Sequence, residues 1–424
     1  MNNKQSTLLA FCLITSLFFL WGFAHNLDPI LIPHLKKSFT LTTTQATLVD
    51  SAVFAAYFVM ALPAGLLMKK AGYKAGIIAG LFLFAIGCFL FVPAADMQSY
   101  DFFLVALFVI ACGLTILETA ANPYATVLGN PETGTQRLNF AQSFNGLAAA
   151  LAPVIGARII LTKGYTKEEL NAMSETVRKT ALAAEAATVK MPYIVLGIVL
   201  IVIALIFAVI KLPAISAHKG AGPASKSVFH TFRHRHLAWG VVAQFFYVGA
   251  QVSVFSLFIL YATKSAGISE VKAADYLGAC GIAFLVGRFA GTALMQKIAP
   301  PVLLAWYAVI NLMLCTVAIL GTGMITIYAV IGICFFMSVM FPTIFALGIK
   351  NLGADTEYGS SLIIMSIVGG AILPRFFGYI SDVTGNIQHG YIVPFICFAV
   401  IALFGYKGHR IQTTALQTKA VPVI

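Results

Sequence analysis

Hydrophobic and polar positions along this chain fall into long blocks. Apolar runs of roughly 18–30 residues are separated by short stretches carrying Lys, Arg, Asn and Gly. A helix needs about 20 such residues to cross the hydrocarbon of a bilayer. Lipid offers no partner to backbone N–H and C=O groups, so the helix is the structure these blocks adopt. The pattern predicts twelve spans, at about 8–31, 45–68, 75–95, 100–128, 138–162, 191–213, 237–264, 272–296, 301–320, 323–348, 358–381 and 390–407. The expected fold class is therefore all-α and integral to a membrane. The first run is long and leads straight into polar span residues, so it reads as the first span and not as a cleaved signal.

Composition narrows the class further. With 60% hydrophobic and 10% charged residues and a mean hydropathy of +0.91, an ordinary soluble protein is excluded. The net charge of +12 would suit nucleic acid, but the Lys and Arg residues sit mainly in loops between spans, where they set orientation. Lys69, Lys70 and Lys74 follow the second span, and Lys219, Lys226, Arg233 and Arg235 follow the sixth. An even span count puts both termini on the side of these loops, so both termini are expected in the cytoplasm. Lys36, Lys37 and the charges of 163–190 run the other way, the last in a longer hydrophilic loop that weighs less in topology. Cys12, Cys88, Cys112, Cys280, Cys315, Cys334 and Cys397 all fall in apolar spans without metal spacing and are expected to be free, buried thiols.

One shift in composition divides the spans six and six. From Pro213 to His236 the chain turns rich in Gly, Ser, Lys and His. This predicts an N-terminal six-helix bundle over 1–213, a cytoplasmic linker over 214–236, and a C-terminal six-helix bundle with a short tail over 237–424. Two such halves about a central cavity are the layout of the major facilitator fold. A weak echo supports the repeat, since Ala64-Gly65-Leu66-Leu67-Met68-Lys69 and Ala290-Gly291-Thr292-Ala293-Leu294-Met295 end the second span of each half.

Polar groups inside the spans are the candidate chemistry. An acid at mid-bilayer costs roughly 2.5–3.5 kcal/mol on insertion scales and marks function by default. Glu118 lies roughly 27 Å into a span about 43 Å long at 1.5 Å per residue. Thr115, Glu118, Asn122 and Thr126 fall at helical spacings of three and four, one stripe that reads as a cavity wall. A carboxyl shielded from water binds a proton more readily, as a proton-coupled carrier requires; a bound Na+ would require it charged. In the first span Trp21, His25 and Asp28 share a face, with Asn26 nearby and Pro29 next, which suits a substrate or cation site. Asn139, Gln142 and Asn145 in the fifth span, and Gln244, Tyr247 and Gln251 in the seventh, offer donors and acceptors to sugar hydroxyls. Tyr247 and Phe341 could stack on a pyranose face. Arg288 and Arg375 could be gating or substrate groups, but read rather as salt-bridged or snorkelling to the interface. There is no P-loop, nucleophile elbow or paired Cys/His signature, so neither an enzyme nor a resident cofactor or metal is expected.

Several blocks resemble the L-fucose permease family of sugar symporters. These are Phe18-Phe19-Leu20-Trp21, Pro63-Ala64-Gly65 with Met68-Lys69-Lys70, Tyr73-Lys74-Ala75-Gly76-Ile77-Ile78, and Leu117-Glu118-Thr119-Ala120-Ala121-Asn122-Pro123. Arg137-Leu138-Asn139, Ala141-Gln142, Phe144-Asn145 and Phe341-Pro342-Thr343-Ile344-Phe345 continue the likeness over almost the whole chain. The resemblance implies alternating access and proton-linked uptake of L-fucose or a related hexose in a bacterial inner membrane. It places Glu118 as the intramembrane acid and Asn26, Gln142 and Asn145 as cavity amides. That family carries an acid where this chain has Pro29, and Asp28 comes one residue earlier. Asp28 is therefore expected to join Glu118 in cation coupling, with Na+ coupling of a glucose or galactose carrier as the alternative. An uncoupled facilitator and a transporter-like sugar sensor are more distant rivals. The expected partners are a small sugar, the bilayer and no nucleic acid, with a monomer as the working unit.

Overall fold

The computed structural model describes residues 3–26, 35, 39, 48–160, 172–210, 212 and 228–411. The described residues form a bundle of twelve membrane spans. The first span is Asn3–His25. The second and third run together as Leu48–Asp96 and part at Gly72, whose φ of 81° and ψ of 168° suit a residue without a Cβ. The fourth is Tyr100–Val127, the fifth Gly134–Ile160 and the sixth Lys190–Val209. In the second half, the seventh span is Arg235–Ser256 continued by Phe258–Ala266, the eighth Glu270–Leu294 and the ninth Pro300–Leu320. The tenth is Met324–Met337 continued by Met340–Gly348, the eleventh Thr356–Met365 continued by Gly369–Thr384, and the twelfth Ile392–Leu403.

The predicted spans differ from these mainly where a helix breaks inside the membrane. The tenth is interrupted at Ser338–Val339, because Pro342 has no N–H to give the Ser338 carbonyl four residues back. Two further expectations are corrected. The stretch read as a hydrophilic loop over 163–190 contains a helix, Glu175–Ala187, whose Ala, Glu and Lys residues favour that conformation. Of the cysteines, Cys12 is exposed on the outer face of the first span, while Cys88, Cys112, Cys280, Cys315, Cys334 and Cys397 are buried. An apolar surface of a membrane helix loses nothing by meeting lipid tails, so a thiol there needs no core.

Burial separates inner from outer helices. In the most apolar window of the fourth span 67% of residues are buried, against 28% in the sixth, so the fourth lies at the centre and the sixth at the periphery. Apolar side chains such as Val209, Trp306 and Leu320 stand on the outside. Helix ends are closed by charged side chains. Lys74 donates to the Ala208 and Ile210 carbonyls at 2.9 and 3.0 Å, closing the sixth span. Arg137 donates to the Ala125, Thr126 and Asn130 carbonyls at 3.3, 2.7 and 2.6 Å, closing the fourth. These are orphan carbonyls that a helix cannot satisfy itself.

Polar contacts between the halves gather toward one end, which by span parity is the end that bears the chain termini, while an apolar one lies farther along, Phe54 of the second span against Gly370 of the eleventh. A Cβ on Gly65 of the second span would collide with Ser361 Oγ of the eleventh and come within 3.0 Å of the Glu357 carbonyl. Lys69 Nζ lies 4.0 Å from the centre of the Tyr358 ring. Gln136 Nε2 donates to the Met295 carbonyl, and Asn139 Nδ2 donates to Thr343 Oγ1 at 3.1 Å. At the same end Asp355 accepts from Arg233 at 3.2 Å and lies 3.3 Å from His234 Nε2, which ties the start of the seventh span to the loop before the eleventh. This end is closed.

Candidate functional site

The central spans place the predicted stripe against the second and fifth helices. Glu118 accepts a hydrogen bond from Tyr57 Oη at 2.8 Å, a contact between the fourth and second spans. The Glu118 side chain is enclosed among the central spans and keeps part of its surface accessible. The stripe divides by chemistry. Thr115 and Thr126 spend their hydroxyls on their own helix, on the Ala111 and Asn122 carbonyls at 2.7 and 2.9 Å. Glu118 and Asn122 reach outward instead. Asn122 Oδ1 accepts from Gln142 Nε2 at 3.1 Å, while Asn122 Nδ2 is buried with no partner among the described residues.

The fifth span supplies the amides. Gln142 is buried and paired with Asn122, whereas Asn145 keeps accessible surface. Asn139 is turned to the closed end and held by the Thr135 carbonyl at 2.9 Å and by Thr343. Asn145 packs directly on the first span: a Cβ at Gly22 would sit 2.9 Å from Asn145 Cγ and 3.0 Å from its Cα. Asn26 lies one turn along that span and donates Nδ2 to the Gly22 carbonyl at 2.6 Å, which leaves its oxygen for the space beyond. Gly22→Ala is expected to push Asn145 aside and to raise KM for the transported sugar several-fold in an uptake assay, with little change in the maximal rate of exchange.

From the other half, Tyr247 and Phe341 come together edge to face, with ring centres 6.2 Å apart. Tyr247 is fully enclosed, with no partner for its hydroxyl among the described residues. One turn away, Gln244 is equally buried, with neither amide atom bonded to a described residue. A buried polar group left unpaired costs about 1–3 kcal/mol, so a stretch of helix with three such atoms is suited to a state in which water or a ligand meets them. Gln251 and Phe341 keep accessible surface. Asp28, Pro29 and the side chain of His25 lie outside what the structure describes.

One residue of the site escaped the sequence reading, and for another the favoured reading fails. Tyr57, the partner of Glu118, stands in an apolar run with no polar neighbour to mark it. Arg288 read as salt-bridged or snorkelling, and it is neither. It is 4% exposed, and no carboxylate among the described residues lies within ion-pair distance. Its Nε donates to the Ser338 carbonyl at 2.9 Å and its Nη1 to the Gln142 carbonyl at 2.8 Å. Arg375 is exposed, as a snorkelling residue would be. The signal for Arg288 was Pro342, which frees the carbonyl that the guanidinium takes.

Twelve helices in two halves, an acid among the central spans and a pair of amides one turn from it define a membrane carrier. The chain belongs to the Major Facilitator Superfamily, whose family model matches residues 8–367, and within it to the L-fucose permease family. It is 44% identical to the L-fucose-proton symporter of Escherichia coli (strain K12) over 95% of this chain and 94% of that one. A glucose/galactose transporter of Brucella abortus is 42% identical over 96% of each chain. Among solved structures, the crystal structure of the transporter FucP in the outward conformation superposes with a TM-score of 0.89 at 44% identity, covering 95% of this chain and 99% of that one. The proton:xylose symporter XylE shares the fold alone, with a TM-score of 0.66 at 12% identity.

Proposed function

We propose that this protein is a secondary active transporter that couples the inward movement of a proton to the uptake of a hexose, L-fucose or a close relative of it, by alternating access. The observation that carries the reading is the partly accessible Glu118 carboxyl, held among the central spans by Tyr57, one turn from Asn122, which Gln142 of the fifth span bonds. A carboxyl in that position can take a proton from one side and release it to the other. Amides and ring faces supply what a sugar needs, hydroxyl partners and a flat apolar surface. Glu118 is the proton carrier and Asp28 its outer partner. Gln142, Asn145, Asn26, Tyr247, Gln251 and Phe341 contact the sugar, the enclosed Gln142 and Tyr247 once the halves move. The halves are 1–213 and 237–424, joined by 214–236. The protein works as a monomer in a bacterial cytoplasmic membrane with both termini inside.

Proton coupling is favoured over Na+ because two relatives named L-fucose-proton symporter, at 44% and 33% identity, match nearly the whole chain. A second sugar reading has its own support, since relatives at 42% identity are named glucose/galactose transporters. Uptake of labelled L-fucose, D-glucose and D-galactose into proteoliposomes holding only this protein decides both points. L-fucose is expected to accumulate under an imposed proton gradient and to equilibrate without one. Accumulation driven only by a Na+ gradient would overturn the coupling, and accumulation of D-glucose or D-galactose with no L-fucose uptake would move the substrate to the second reading.

A further inference from the structure

The guanidinium of Arg288 is a full charge buried between the halves and answered by backbone carbonyls. Three features fasten it to the second half. Its Nε takes the Ser338 carbonyl, which Pro342 cannot serve. Its plane lies 4.6 Å from the centre of the Phe284 ring one turn back on the same span. The eighth span is pressed onto the tenth at Gly287, where a Cβ would collide with the Phe335 carbonyl. Among the described residues one bond reaches the other half, from Nη1 to the Gln142 carbonyl at 2.8 Å, beside Gly146, where a Cβ would touch Arg288 Cδ and Nη1 at 3.9 Å and press on Leu285 Cδ1 at 3.3 Å. Gln142 is also the residue whose side chain holds Asn122, next to the proton carrier's turn.

Opening the closed end must separate the fifth span from the eighth and tenth. The Ser338 bond lies within one half and survives that movement, while the Gln142 bond cannot. We propose that Arg288 is the latch of the closed state: a positioning residue, anchored to one half, whose single charge-assisted bond to the Gln142 carbonyl holds the terminus-bearing end shut and links its release to movement at the sugar site. The proposal rests on alternating access, and its test needs no sugar, so a wrong substrate would leave it standing or falling by itself.

The test places spin labels on Glu132→Cys and Lys297→Cys, exposed positions in the two halves at the closed end, in full-length protein with Cys12→Ser, reconstituted in liposomes. The pair-distance distribution is recorded without sugar. Arg288→Gln is expected to raise the ratio of open to closed populations at least about tenfold, the lower range of what a hydrogen bond to a charged group is worth. Arg288→Lys, which keeps the charge but not the fork, is expected to fall between. Gly146→Val keeps the arginine and adds two methyl groups beyond a Cβ that already touches Arg288 Cδ and Nη1; it is expected to shift the distribution the same way and serves if Arg288→Gln does not fold. An unchanged distribution in Arg288→Gln, or in Gly146→Val where that must stand in, overturns the latch. Lost sugar binding with an unchanged distribution would overturn it too, in favour of a direct sugar ligand.

Discussion

Glu118→Gln is expected to abolish concentrative uptake while leaving sugar exchange across the membrane close to that of the unchanged protein. The amide keeps the shape of the acid and can still meet Tyr57 Oη, which bonds the carboxyl at 2.8 Å. It cannot carry a proton. One proton moving through 100 mV supplies about 2.3 kcal/mol, enough for roughly a fortyfold concentration of sugar. Without that step the ratio of inside to outside sugar should fall to about one, since nothing then links the gradient to the cycle. Exchange needs only the loaded carrier to reorient, and the variant resembles the protonated, loaded form. The measurement pairs uptake under an imposed proton gradient with counterflow of labelled against unlabelled sugar. Loss of both would make Glu118 a sugar ligand or a structural acid, and retention of concentrative uptake would move the proton to another group.

The second large effect is expected at Gly65, far from the sugar. Any side chain there meets Ser361 Oγ and the Glu357 carbonyl of the opposite half. Overpacking of this kind costs about 1–3 kcal/mol. Here it falls only on the state in which the second and eleventh spans touch. Gly65→Ala is therefore expected to disfavour the closed end by roughly ten- to a hundredfold and to slow uptake by a similar factor, because the carrier spends little time able to load from the far side. Ser361→Ala in the same chain removes the colliding oxygen and should restore much of the rate. Normal uptake by Gly65→Ala alone would mean that the second and eleventh spans do not need to approach this closely during transport.

The span count, the six-and-six division and the enclosed acid could be read from residue order because each rests on local quantities. An apolar run of sufficient length has one way to cross lipid, and an acid in the middle of one is expensive wherever the helix sits. Asn122, Gln142 and Asn145 could be placed on helix faces for the same reason, since spacing alone decides which side chains share a face. The stripe on the fourth span was legible as a stripe, but not which members of it serve the site. Thr115 and Thr126 turned out to bond their own backbone, and Glu118 and Asn122 to reach across. Side-chain hydroxyls three or four residues from a free carbonyl always have that local alternative, and nothing in the order of residues says when they take it.

What only the tertiary structure decided are the partnerships between distant segments: Tyr57 with Glu118, Gly22 with Asn145, Gly65 with Ser361, and Arg288 with the carbonyls of Gln142 and Ser338. By itself the sequence determined a membrane carrier of twelve helices with an acid at its centre, for the cost of burying apolar runs and charges in lipid depends on length and composition. The identity of each contact depends on how helices rotate and approach, which is settled by packing among residues tens to hundreds of positions apart. A buried arginine shows the difference plainly. Its charge and its span were visible in the chain, but a guanidinium can be satisfied by an acid, by the interface or by a carbonyl, and the choice fell to a carbonyl that a proline on another helix had set free.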